Sequence, residues 1–331
     1  MNWLERSWYK QAYWSYLLAP LSLLFWLVSW FRRFLYRIGV SKQNKFDIPV
    51  IVVGNITVGG TGKTPFTVYL VELLKQQGFK PAIVSRGYGA EQTEDVPFPR
   101  VINSDSPVNI SGDEPKLLAM KTGVPVVIAP KRSDAVKLLS EQFECDVVIS
   151  DDGLQHYAMA RDLEFVLLDK QRSLGNGWLL PVGPLREGAS RLKSVDLVIE
   201  NAGFSKDKSS DYTLSPALPY HISAPEQLLK PNCAVHLISG IGNPQRFLET
   251  AQGVGLEVKS TTWLPDHHKF TLADFAGFDR QDIVVMTEKD AVKCADLPSD
   301  TNSTNWYVLP IEACISESIE QQIINKLQRI K

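Results

Sequence analysis

The segment Gly54-Asn55-Ile56-Thr57-Val58-Gly59-Gly60-Thr61-Gly62-Lys63-Thr64 has the makings of a phosphate-binding loop. Glycines let a backbone curl until several N–H groups point at one phosphate. A helix starting near Thr64 adds the partial positive charge of its N-terminus. Lys63 can reach the β- and γ-phosphates of a nucleotide, and the Thr64 hydroxyl can ligate Mg²⁺. Thr57, Val58, Gly59, Gly60, Thr61, Gly62, Lys63 and Thr64 are therefore the expected ATP contacts. One departure stands out. The pattern G-x-x-x-x-G-K-[ST] asks for glycine where this chain has Thr57, and the Gly59-Gly60 pair must supply the missing flexibility. The variant G-G-x-G-K-[ST] belongs to a branch that includes ATPase switches. Those carry a lysine just before the glycine pair, where this chain has Val58.

Further downstream, Asp146-Val147-Val148-Ile149-Ser150-Asp151-Asp152 is an apolar run ending in carboxylates. In an αβ alternation such a strand end lies beside the phosphate loop, where Asp151 and Asp152 can hold Mg²⁺ directly or through water. Adjacent carboxylates repel unless a cation lies between them. Arg86, Arg132 and Arg186 sit at or just after strand ends, where a guanidinium can clamp phosphate oxygens. A surface salt bridge is the alternative for each. Gln155 and Glu187 are second-line contributors, and Lys289 and Asp290 are expected to reach nucleotide across a cleft. Asp113, followed by Glu114 and Pro115, reads locally as a helix start. His267 and His268 fall in a polar loop that could also bind stray metal.

These groups need a frame to hold them. Apolar β-branched runs at Pro49–Val53, Lys80–Ser85, Val124–Ala129, Asp146–Ser150, Leu163–Leu168 and Val195–Glu200 alternate with helical patterns at Thr64–Gln77, Pro115–Lys121 and Ser133–Gln142. That order predicts a mainly parallel sheet with helices on both faces. Residues 90–111 read as a long loop with room for a short strand. A polar, Pro-containing stretch near 201–230 marks a junction. A second alternation follows, with strands at Ala234–Ser239, Ile283–Thr287 and Trp306–Leu309 and a closing helix near Ser316–Arg329. The expected division is 1–45, 46–215 and 216–331.

The N-terminus is unlike the rest. Trp14–Phe31 carries no charge and is dense in Trp, Tyr, Phe and Leu, with Arg32, Arg33 and Arg37 behind it. At about 18 residues it is at the lower limit for a membrane span. Pro20 would end or kink a helix there. A buried helix, a span and an interfacial helix compete, and aromatic density favours the interface. A cleaved signal peptide fits poorly, for want of a small-x-small site. The net charge of −2 over 331 residues argues against a large nucleic-acid surface. The four cysteines form no C-x-x-C pair, so no zinc or redox motif is expected.

Several separated motifs carry a family resemblance. They are the phosphate loop with Pro65, Ser85-Arg86-Gly87-Tyr88-Gly89, Gly112-Asp113-Glu114-Pro115, Asp151-Asp152-Gly153-Leu154-Gln155-His156, Gly183-Pro184-Leu185-Arg186-Glu187, Pro265-Asp266-His267-His268 and Thr287-Glu288-Lys289-Asp290. In order and spacing the chain resembles the tetraacyldisaccharide 4′-kinases, from the hydrophobic N-terminus to about residue 295. The Thr57 departure is similar to that family. The resemblance implies a P-loop α/β fold with a smaller second α/β domain closing over the site, and ATP and Mg²⁺ as cofactors. It implies phosphorylation of the 4′-hydroxyl of an acylated glucosamine disaccharide at the cytoplasmic face of the inner membrane. Asp113 and a histidine, His267 in preference to His268, become a dyad that deprotonates the acceptor, with Lys63 and Arg186 at the transferred phosphoryl. No obligate protein partner and no nucleic acid are implied. The alternatives are another small-molecule P-loop kinase and a membrane-recruited ATPase switch. Val58 and the histidine pair speak against the switch.

Overall fold

The computed structural model describes residues 3–10, 13–93, 96–205, 209–295, 297 and 305–331. Eight strands form in sequence through the first part of the chain. They are β1 (Val50–Gly54), β2 (Pro81–Ser85), β3 (Arg100–Ile102), β4 (Val126–Ile128), β5 (Val147–Asp151), β6 (Leu163–Asp169), β7 (Leu197–Asn201) and β8 (Tyr212–Pro216). Six more build a second sheet: β9 (Tyr220–His221), β10 (Ala224–Leu228), β11 (Ala234–Ser239), β12 (Glu257–Trp263), β13 (Val284–Thr287) and β14 (Trp306–Leu309). The last strand, β15 (Ile311–Ile315), returns to the first sheet. That sheet runs β15-β8-β7-β6-β1-β5-β2-β4-β3, and the second runs β10-β9-β14-β13-β11-β12.

In the first sheet the strands from β8 to β4 are parallel, and β3 and β15 cap the two ends antiparallel. β1 and β5 are buried at every position, which is why they read as unbroken apolar runs rather than alternating ones. The helices are α1 (Trp3–Tyr9), α2 (Ala19–Arg37), α3 (Lys63–Gln76), α4 (Val108–Ser111), α5 (Asp113–Thr122), α6 (Arg132–Gln142), α7 (Pro244–Gly253), α8 (Glu288–Cys294) and α9 (Glu317–Leu327). Phe66, Leu70 and Leu74 of α3, Leu118 of α5 and Ile319 and Ile323 of α9 fill one face of the sheet. Ala135, Val136 and Leu139 of α6 fill the other. The second sheet has its own cores around Leu237, Phe247 and Val285, and around Phe275, Met286 and Trp306. The expected loop at 90–111 contains β3 and α4.

The 216–331 unit needs correction at its far end. β15 pairs antiparallel with β8, from Ile311 against Pro216 to Ile315 against Tyr212. The apolar stripe of α9 then packs into the core of the first sheet. The second unit is thus an insertion between two neighbouring strands. Burial drives this return, because Ile319, Ile323 and Leu327 would otherwise stand in water.

Tyr13–Arg37 forms a helical stretch of 25 residues with mean hydropathy 1.5, of which 11% of the apolar window is buried. Its length and composition suffice to cross a membrane, and it is not a core helix. Pro20 lies in the first turn of α2, where its missing N–H costs nothing. The buried residues of this stretch, Ser15 and Ser22, are small and polar. Ser22 Oγ donates to Leu179 O at 2.8 Å and accepts from Val182 N at 3.2 Å. Leu23, Trp26, Val28, Trp30 and Phe34 face outward.

Candidate active site

β1 ends at Gly54, where a Cβ would stand 2.7 Å from that of Leu154, so only glycine lets the two loops meet. The chain after it is extended. Val58 N donates to Pro184 O at 2.9 Å, Arg186 N donates to Ile56 O at 2.7 Å, and Thr57 bridges Leu185 antiparallel. Thr57 can replace the usual glycine because its backbone is paired strand, not a tight turn. The pairing also occupies backbone groups at two of the expected ATP contacts, although Val58 itself lines the cavity beside the loop. The Val58 N–H already has a partner, and Thr57 is buried against the Leu185 segment. The curl comes later, at Gly59 (φ 110°) and Gly62 (φ 81°), leaving Gly59–Thr64 to cradle phosphate.

Two residues absent from the sequence expectations hold that curl. Asn201, at the end of β7, donates from Nδ2 to Thr61 O at 2.9 Å. Tyr212, at the start of β8, donates from its hydroxyl to Gly62 O at 2.8 Å. A Cβ on Gly62 would lie 2.4 Å from Asn201 Nδ2. The buttress was invisible because Asn201 looks like the first residue of a polar linker.

Lys63 opens α3, and its Nζ lies 3.6 Å from Asp152 Oδ1. Arg186 Nη1 lies 3.1 Å from the same oxygen and 3.3 Å from Asn55 Oδ1. Buried Arg132 donates to the carbonyls of Asp151 and Asp152 at 3.3 and 2.9 Å. Burial raises the Asp152 carboxyl, but Lys63, Arg186 and Arg132 outweigh it and hold the group below its ordinary value. Asp151 differs. Burial, with Glu114 and Asp152 adding to it, pushes its carboxyl up to about 7 against the pull of Lys63 and Arg132. A buried acid so reluctant to ionise is what a divalent cation would relieve. Among the described residues no cluster of three or more His, Cys, Asp or Glu gathers for a metal. The donor set Thr64, Asp151 and Asp152 suits Mg²⁺, which takes few protein ligands and completes its shell with water and phosphate.

Arg86 is exposed after β2, yet its charge reaches Arg132 and His156. His156 is driven down to about 4 by burial first and then by Arg132 and its neighbours, so it is neutral. Gln155 Nε2 donates to Asn55 O at 3.1 Å and to Glu187 Oε1 at 2.8 Å. Glu187 is buried and also meets Tyr157, Arg191 and Arg33.

The rest comes from both units, Asp113 and Glu114 from the first and His267, His268, Lys289 and Asp290 from the second. α5 begins at Asp113 after Gly112, whose φ of 78° and close approach to Tyr88 O exclude a side chain. Asp113 is 6% exposed, and its Oδ1 accepts from Glu114 N at 2.9 Å. His267, held at a left-handed φ of 59°, places Nδ1 3.0 Å from Asp113 Oδ2. Burial raises the Asp113 carboxyl, but His267, Lys289 and Lys293 bring it below its ordinary value. The hydrogen bond to Asp113 raises His267, against burial and Lys289. His268 turns away to Asp274, with Nε2 3.1 Å from Oδ2. Lys289 meets Glu114 Oε1 at 3.0 Å. Asp290 does not face the cleft, contrary to expectation. It is fully buried and accepts from Ser239 Oγ at 2.6 Å, Gly240 N at 3.2 Å and Thr287 Oγ1 at 2.7 Å. Ionised acids survive such burial only when so paired, and Lys293 at 2.8 Å completes the set.

Two cavities flank this assembly. One of about 500 Å³ runs between the phosphate loop and the second unit, with Lys63, Arg172, Phe204, Arg246, His267 and Lys289 on its walls. The other, about 380 Å³, lies between α2 and the segment carrying Gln155, Arg186 and Glu187. Trp26, Trp30, Arg32 and Arg33 line its far side. Trp26, Trp30 and Phe34 stack in a ladder at 6.3 and 5.3 Å between centroids.

Comparison with known proteins agrees with this geometry. A family model described as "LpxK: Tetraacyldisaccharide-1-P 4′-kinase" matches residues 14–328. A tetraacyldisaccharide 4′-kinase from Shewanella pealeana is 45% identical over 335 residues, covering 99% of this chain and 98% of the relative. Another from Idiomarina loihiensis is 46% identical over 334 residues, with the same coverage. The crystal structure of Aquifex aeolicus LpxK in complex with ATP superposes with a TM-score of 0.77 at 26% identity, covering 96% of this chain and 99% of that one. A phosphate loop, a paired Asp113–His267 and near full-length similarity converge, and the chain belongs to the tetraacyldisaccharide 4′-kinase family.

Proposed function

We infer that this chain is an ATP-dependent lipid kinase that phosphorylates the 4′-hydroxyl of tetraacyldisaccharide 1-phosphate, the step forming lipid IVA in lipid A synthesis. The observation that carries the residue assignment is the 3.0 Å contact between Asp113 and His267, made across two separately folded units and beside the phosphate loop. With Asp113 ionised, His267 carries its proton on Nδ1 and leaves Nε2 free to accept another. The acceptor oxygen bonds to the γ-phosphorus while the bond to the β-phosphate oxygen breaks. The hydroxyl proton passes to His267 Nε2, and ADP leaves. Gly59–Thr64 hold the donor phosphates, and Lys63 and Arg186 face the charge that develops on the transferred group. Thr64, Asp151 and Asp152 would hold Mg²⁺, which would neutralise phosphate charge. Arg132 fixes the strand end that carries both aspartates.

The acceptor is assigned to the cavity under α2. Its acyl chains run along the outward Trp26-Trp30-Phe34 ladder, and its phosphate meets Arg32 and Arg33. An apolar helix backed by arginines fits a protein seated on the cytoplasmic face of the inner membrane. The test is ATP-dependent transfer of label to a disaccharide-1-phosphate lipid in detergent, beside soluble sugar acceptors. Transfer to soluble sugars alone, or ATP hydrolysis without transfer, defeats the reading.

A further inference from the structure

The Thr287-Glu288-Lys289-Asp290 turn has an interior logic that the phosphoryl-transfer assignment leaves unused. Asp290 ties it to Ser239 and Gly240, and His267 N donates back to Gly240 O at 3.2 Å. Glu288 Oε1 meets Lys121 of α5 at 2.6 Å, and its Oε2 accepts from Ile311 N at 3.2 Å. The turn is thereby fixed both to the loop bearing His267 and to the helix bearing Asp113. Lys289, between these anchors, is 20% exposed. Its Nζ lies 3.6 Å from Asp113 Oδ2, the oxygen that also meets His267 Nδ1 at 3.0 Å.

We propose that Lys289 is a positioning residue of the general base: it orients the Asp113 carboxylate and opposes positive charge on His267, so that the imidazole sheds the acceptor's proton between turnovers. This rests on the Asp113–His267 reading above. The groups facing His267 define the balance. From α5 comes Asp113, while Glu114, one residue on, pairs with Lys289. From its own loop comes Asp266, with Oδ2 4.0 Å from Nε2. From α8 come Lys289 and, through Asp113, Lys293. The Tyr88 ring packs 5.0 Å away. Asp113 and Asp266 both stabilise imidazolium, and alone they would trap the proton. Lys289 is the charge that offsets them, and its pull on His267 is downward. After transfer the proton moves from Nε2 to water, which restores the neutral base without any other reactant.

The experiment compares the full-length wild type, K289M, K289R and H267Q by the pH dependence of kcat and by KM for ATP, with thermal melting as a folding control. K289M should move the acid limb of kcat upward by roughly one pH unit, as removal of a nearby like charge does. K289R should restore it, and KM for ATP should stay within about twofold in both. A raised KM for ATP with an unmoved limb makes Lys289 a nucleotide contact and overturns the proposal. A uniform loss of kcat with an unmoved limb overturns it too. If H267Q keeps normal turnover, the general-base reading falls and takes this inference with it. An inactive H267Q beside an unmoved K289M profile refutes the inference alone.

Discussion

Asn201 offers the sharpest test of how this phosphate loop differs from the usual one. Its side chain is 1% exposed and does two things at once. Nδ2 donates to Thr61 O, and Oδ1 accepts from Gly203 N at 2.8 Å. Asn201→Ala orphans both partners, each at about 1–3 kcal/mol for a buried polar group. The Gly203 half falls on stability. The Thr61 half falls on the shape of the loop, and about 1–3 kcal/mol there weakens ATP binding by roughly 5–150-fold. Asn201→Asp separates the two. It keeps the acceptor for Gly203 N but sets a carboxylate oxygen against Thr61 O. The aspartate variant should therefore bind ATP no better than the alanine variant even though the turn at Gly203 keeps its acceptor, and its repelled, buried carboxylate should lower the melting temperature as well. Calorimetric ATP titration beside thermal melting measures both. If N201D binds ATP like the wild type while N201A merely melts early, Asn201 shapes only the turn at Gly203, and the buttress argument is wrong.

Gly62→Ala should impair the same loop, since a left-handed φ of 81° costs about 1–2 kcal/mol with a side chain and the new Cβ meets Asn201 Nδ2; normal KM for ATP would count against the geometry. D113N and H267Q should each lower kcat by about 10²–10⁴, and the double variant should be little worse than the poorer single, because paired groups lose their function together; additive losses would break the pair. In the wild type, kcat should fall as pH drops through a His267 value raised above 6.5, because protonated imidazole cannot take the acceptor's proton; a pH profile with no acid limb in that range contradicts it. Replacing Trp26, Trp30 and Phe34 with serine should cut vesicle co-sedimentation by more than tenfold, at about 1.5–3 kcal/mol per apolar side chain, with little change in melting; unchanged sedimentation would move the membrane contact elsewhere.

Much of the nucleotide unit was legible because its signals are local. Unbroken Val and Ile runs at β1 and β5 reflect burial on both faces, and glycine followed by lysine and threonine reflects one turn. What escaped depends on distant partners. Asn201 gains its meaning from Thr61 and β15 from β8, pairings that no window of sequence contains. β12, whose residues are largely exposed, lacks the apolar alternation that marks a strand. The choice between His267 and His268 turns on backbone: the left-handed turn at His267 sends one ring to Asp113, and the next goes to Asp274.

The crossing between the two sheets has a mechanical consequence. The chain leaves the first sheet after Pro216 and re-enters at Ile311, and these two residues are register partners, with Ala217 N donating to Pro310 O at 3.2 Å just beyond. Everything between hangs from one two-stranded ribbon. Such a ribbon bends out of its plane far more readily than it shears within it, since shear must break the ladder between the strands. Any rotation of the inserted unit would therefore have to follow that bend, and it would also have to open the Lys121–Glu288 and Arg246–Asp169 ion pairs that bridge the two units. His267 and Lys289 would ride that arc together, and neither needs a loop of its own to find Asp113.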